Sequence, residues 1–147
     1  VTHVVNLAHR VSRLHTSYLK LHRAVFGFSW RRLLSARGRG DYGRCADELL
    51  RLGGELTEVR TMIAGVDSLE PDTTLAEEFV EVLDRYTMAL TETVERLHGI
   101  CRRFQAEGAG EQAYDEFAAR RDRVAYDDSV QTYRRLGERL NDMFRRL

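Results

Sequence analysis

Apolar residues recur along this chain at alternating spacings of three and four, and only a helix gathers such a series onto one face. The first series runs through Val4, Leu7, Val11, Leu14, Tyr18, Leu21, Val25 and Phe28. A second contains Leu49, Leu52, Leu56, Val59, Ile63 and Val66. A third contains Ala76, Phe79, Leu83, Tyr86, Leu90, Thr93, Leu97, Ile100 and Phe104. The fourth is broken: Tyr114 and Phe117 open it, and Tyr133, Leu136, Leu140, Met143 and Leu147 close it. No stretch alternates with the period of two that a half-buried strand requires.

Breakers separate the four segments. Arg37 to Gly43 is glycine-rich, Val66 to Asp72 holds the single proline, and Gly108-Ala109-Gly110 divides the last two. Glycines in the first breaker are expected to end a helix and turn the chain, because they tolerate positive φ. Thr74 and Glu77 have capping-box spacing, which places a helix start there. Short links between long amphipathic helices favour antiparallel neighbours. The expected fold is therefore all-α, an up-down antiparallel four-helix bundle in one domain over residues 1–147. The charged run Arg120 to Asp128, followed by Ser129-Val130-Gln131, leaves room for the fourth helix to kink or split near residues 126–128. Gly53-Gly54 inside the second helix implies a bend or a close backbone approach, since two helical glycines cost roughly 2 kcal/mol against alanine.

Net charge favours no class of partner, because 23 basic residues balance 23 acidic ones. The distribution is uneven. Residues 1–44 carry nine basic groups and one acidic group, while residues 45–100 carry four basic and thirteen acidic. A basic first helix is thus expected to lie against acidic neighbours. No apolar run approaches the roughly 18 residues of a membrane span, and no signal-peptide core precedes the first helix. Two cysteines do not make a disulfide framework. A cytoplasmic protein without a membrane anchor is the resulting expectation. Val1 stands where Met would be, as in a fragment, a processed form or a GTG start.

The segment from Phe26 to Arg44 is the densest in aromatic, arginine and glycine residues. At about 100° per residue, Leu19, Phe26, Trp30, Leu33 and Leu34 fall on a strip beside the core stripe of the first helix. That helix is then apolar around more than half its girth near its C-terminal end. Such width marks either a central helix or a second contact surface with Trp30 as its anchor. The competing reading is nucleic-acid binding, with Arg31, Arg32, Arg37, Arg39 and Arg44 on phosphates and an aromatic ring stacking on a base. Asp41 interrupts that patch, and the acidic second and third segments oppose it. Arg39-Gly40-Asp41 matches an integrin-recognition tripeptide by coincidence.

Candidates for chemistry are sparse. Glu95 and His98 show the Glu-x-x-His spacing of di-iron bundles once, where such sites need it twice. The first forty residues hold no carboxylate side chain. His98 and Cys101 would be half a zinc site with no second half. His15 and His22 share a face of the first helix and read as boundary residues. Cys45 sits in core phase and Cys101 at its flank, so neither has the cationic setting of a nucleophile. Neither a catalytic residue nor a metal or cofactor site is expected.

Cys45 to Leu56 resembles the BH3 helix of the Bcl-2 family, with Cys45, Leu49, Leu52 and Leu56 as apolar anchors and Gly53 as the small residue. Gly54 stands where that family has its aspartate. Tyr133 to Leu140 is a looser match, with Glu138 in the acidic place. No Asn-Trp-Gly-Arg-like segment follows, so the chain is not assigned to that family. The functional expectation is a non-enzymatic, regulatory or assembly protein acting by protein–protein contact or homodimerisation. Leu19, Phe26, Trp30, Leu33 and Leu34 form the expected interface. An RNA- or DNA-binding subunit is the alternative, and a ligand- or metal-sensing bundle the second.

Overall fold

The structure is a computed structural model that describes residues 2–26, 38–66 and 74–146. Four helices account for most of these: α1 (Thr2–Phe26), α2 (Gly38–Ala64), α3 (Thr74–Gly108) and α4 (Glu116–Phe144). No strand occurs among the described residues. The side-chain pairings set every neighbour antiparallel. Arg10 of α1 reaches Glu58 and Met62 of α2, Tyr42 of α2 stacks on Phe104 of α3 while Arg60 pairs with Asp84, and α3 meets α4 at Arg103–Asp122 and again at Phe79–Phe144. His9 against Phe144, and His22 against Tyr126, close α4 back onto α1. The result is the expected all-helical four-helix bundle. The Arg10–Glu58 pair also joins the basic first helix to an acidic neighbour, as the uneven charge implies.

The core follows the stripes. Val4, Leu7, Val11, Leu14, Tyr18, Leu21 and Val25 are buried on α1, and Leu49, Leu52, Leu56, Val59 and Ile63 on α2. α3 goes further. Besides its expected face it buries Val80, Thr87, Thr91, Val94 and Cys101, because it packs broadly against both α2 and α4 and also meets α1. Cys101 is therefore core rather than flank, with no exposed surface. Buried threonines are tolerated on α3 because each hydroxyl donates to the carbonyl four residues back, at 2.7 Å for Thr87 and Thr91 and 2.9 Å for Thr93.

Several boundaries differ from expectation. α4 runs unbroken through residues 126–128. Its charged middle is bound into the helix by Arg120–Glu116 and Arg123–Asp127 pairs, and Ser129 donates to the Tyr126 carbonyl instead of capping a new start. The N-terminus of α4 lies at Asp115, whose Oδ1 accepts from the Ala118 amide at 2.7 Å. Phe117 then falls outside the core, 79 % exposed. α2 begins inside the first glycine-rich breaker, so Gly40 and Gly43 are helical. A Cβ on Gly43 would lie 2.7 Å from Nε2 of Gln105 on α3, the far end of a flexible side chain that can move aside. Among the described residues only Gly110 takes a positive φ, 71°. There the Glu111 amide reaches back to the Ala106 carbonyl and the Gly110 amide to that of Glu107, which ends α3 in a Schellman motif.

Gly53 and Gly54 are not forced by packing. A Cβ on Gly53 would meet Val94 at an ordinary 3.8 Å, and one on Gly54 would meet nothing within 4 Å. Gly137 on α4 is the opposite case, because its Cβ would press to 3.1 Å from the Tyr86 ring. In urea unfolding, Gly54→Ala is expected to stabilise the protein by about 1 kcal/mol. Gly137→Ala is expected to lose that helix-propensity gain to overpacking and come out neutral or destabilising.

Candidate functional site

Within this bundle α2 packs on α3 and α3 on α4 along their lengths, while α1 and α4 barely touch through their backbones. Rings fill the space between them. Tyr18 and Leu21 belong to the core stripe of α1, and His15, His22 and Phe26 lie one position round the helix, facing α4. From α4 come Tyr126 and Tyr133, seven residues apart and so on one face. Tyr86 of α3 closes the group.

Two subclusters share this seam. In the first, His15 sits among three tyrosines, with ring centroids 5.4 Å from Tyr133, 6.1 Å from Tyr18 and 6.4 Å from Tyr86. Tyr18–Tyr133 and Tyr86–Tyr133 meet edge to face at 5.9 and 6.1 Å, the arrangement that aromatic quadrupoles favour. His15 Nε2 is buried with no hydrogen-bond partner. In the second, the Tyr126 hydroxyl stands between the Tyr18 hydroxyl and Nδ1 of His22, the latter at 2.5 Å. The His22 and Tyr126 rings stack at 5.7 Å and 17°. Phe26 lies 5.3 Å from His22 and 5.5 Å from Tyr126, and the Arg123 guanidinium covers its ring at 3.7 Å.

The protons can be placed. Burial holds His22 below its ordinary value, and the Arg123 charge acts in the same direction. Neutral His22 then accepts at Nδ1 and carries its proton on Nε2, an assignment that rests on the hydrogen-bond network. Tyr126 donates to His22, and Tyr18 donates to Tyr126. Burial, reinforced by that donated bond, pushes the Tyr18 hydroxyl far up; burial also raises Tyr86 and Tyr126. His15 is lowered by burial and then by Arg134. At neutral pH the cluster is thus an uncharged chain of donors and acceptors. The hydroxyls of Tyr18 and Tyr126 and Nδ1 of His22 are turned toward one another, while Nε2 of His15 is not partnered.

The residues singled out in the sequence are distributed as follows. Leu19 and Phe26 are half-buried and pack against the core. Trp30, Leu33, Leu34, Arg31, Arg32 and Arg37 lie outside the described residues, as does the side chain of Arg39. Arg44 is exposed and pairs with Glu48 one turn on, at 3.6 Å. Glu95 is exposed and His98 half-buried on α3. No group of three or more His, Cys, Asp or Glu side chains among the described residues could hold a metal ion. None of their helices is long and apolar enough to cross a membrane. The Tyr18–Tyr126–His22 chain escaped sequence analysis because Tyr126 lies in a charged run. The available signal was its spacing of seven from Tyr133, together with the need of a core Tyr18 for a hydroxyl partner.

No family model, curated protein or solved structure matches the chain.

Tyr126→Phe removes the centre of the chain and takes away the Tyr126 oxygen that accepts from the buried Tyr18 hydroxyl. It is expected to cost about 1–3 kcal/mol in urea unfolding. His15→Phe keeps a ring among the tyrosines and removes the unpartnered nitrogen. It is expected to stabilise the protein by about 1 kcal/mol at neutral pH.

Proposed function

We propose that the protein is a non-enzymatic module that works in the cytoplasm by binding another protein or a second copy of itself. The observation that carries this reading is the outer face of α4, where Phe117 is 79 % exposed and Val124 57 % exposed. Seven residues separate them, so they lie on one side of the helix two turns apart. Large side chains left in water along one helix face form contact surface of the kind that interfaces bury. The aromatic and titratable groups of the seam, by contrast, are engaged with one another. The strip that ends in Trp30, Leu33 and Leu34 is the second element of the proposed contact. Both cysteines are buried thiols, as suits a reducing compartment.

Light scattering at low and high salt tests this reading. An assembly larger than a monomer is expected to persist at high salt, because apolar contacts are not screened. Phe117→Ala and Trp30→Ala are each expected to weaken it by about tenfold or more, with helicity unchanged. A monomer under all conditions that captures no protein would overturn it. A complex with RNA or DNA that weakens steeply with salt would transfer the function to Arg31, Arg32, Arg37, Arg39 and Arg44.

A further inference from the structure

Most of the molecule is held by broad helix-on-helix contact, and the α1–α4 seam is the exception. It depends on a few large rings, and two of them are imidazoles. We propose that this seam is a pH-sensitive latch, in which protonation of His15 and His22 in mildly acid solution parts α1 from α4 while α2, α3 and α4 stay packed.

The hydrogen-bond inventory supports such a response. With His22 neutral, two hydroxyl protons meet two acceptors in series, and none is wasted. A proton on Nδ1 turns the terminal acceptor into a donor. Three protons then meet the two hydroxyl oxygens, and the Tyr18 O–H is displaced from Tyr126 toward the Tyr133 hydroxyl, the next group that acts on it. Tyr126 has no exposed surface and Tyr18 only 1 %, so water cannot take it up in the closed state. His15 adds to the effect. Its Nε2 is already buried without a partner, and an imidazolium there would face three tyrosine rings and the Arg134 charge.

The charged surroundings act in the same direction. The groups that act on His22 are Tyr126, Arg123, Asp127 and Arg134 of α4 and Arg23 of α1. Asp127 alone favours the charged ring, and it is bound to Arg123 at 3.1 Å. His15 is faced by Tyr18 of α1, Tyr86 of α3, and Tyr133 and Arg134 of α4. Both histidines sit below the ordinary 6.5 in the closed bundle. The open form therefore binds more protons. Closure is fully stable above that value and is lost as the pH falls beneath it. Each proton taken up on opening shifts the equilibrium by about tenfold per pH unit, approaching a hundredfold when both histidines take part. Opening uncovers Phe26, Tyr126 and Tyr133, and so presents new ring surface.

Amide hydrogen exchange at about pH 7.5 and about pH 5 tests the latch, with intrinsic rates corrected. The α1 amides are expected to lose at least about tenfold in protection at the lower pH, while those in the buried part of α3 keep theirs. The double variant His15→Phe, His22→Asn cannot titrate at these positions, and its asparagine oxygen stands near the place of Nδ1. It is expected to keep α1 protected at both pH values. Equal losses in α1 and α3, no loss in either, or an unchanged loss in the double variant would overturn the proposal. Should that variant not fold, NMR titration of the unaltered protein decides. The His15 and His22 rings are expected to titrate below about 6.5, together with the loss of α1 protection. Titration at or above that value with α1 still protected would overturn the latch.

Discussion

The first and last helices of this bundle run side by side with their backbones barely touching, and something large has to occupy the space between them. Close-packed interiors do not tolerate a void of that width. The chain fills it with tyrosine, histidine and phenylalanine, whose rings reach further than leucine. That choice brings hydroxyls and ring nitrogens into the core, where each needs a partner. Tyr126 meets most of the demand by standing between Tyr18 and His22. The size of the gap, the use of aromatic rings and the polar chain inside them are thus one solution with three aspects.

The remaining helix pairs need no such device. α3 is buried around most of its girth and serves as the central post. Its threonines make this possible, since a hydroxyl bonded to its own helix presents mainly a methyl group to neighbours. Glycine is used where one helix comes unusually near a ring of another, at Gly137 under Tyr86. Gly53 and Gly54 have no comparable duty, although the sequence made them the more conspicuous pair.

Helix content and the buried stripes were legible because a period of three and four is a direct projection of one helix face. The α1 stripe from Val4 to Val25 is buried throughout. Legibility failed where a local signal had two meanings. Charges from Arg120 to Asp128 suggested a break, yet at spacings of four they pair along a continuous helix. Glycines before Cys45 suggested a turn, yet they lie within α2. The seam was hidden for another reason. Its members are scattered over three helices, and nothing in the spacing of one helix reports which hydroxyl of another will face it. Of the contact residues proposed from sequence, Phe26 has its ring inside this seam, between Tyr126 and the Arg123 guanidinium.

The seam also has a place in the order of folding. Tyr18 and Tyr126 are 108 residues apart in the chain, whereas α2 with α3 and α3 with α4 are joined in sequence by short connections. Contacts between distant residues bring their reward only after the intervening chain has lost its freedom. The α1–α2, α2–α3 and α3–α4 pairs can each form from neighbours in sequence, and α1 meeting α4 is then the closing step. A chain emerging in order from the ribosome offers α1 first and its ring partners last, so α1 spends the longest time with its aromatic face uncovered.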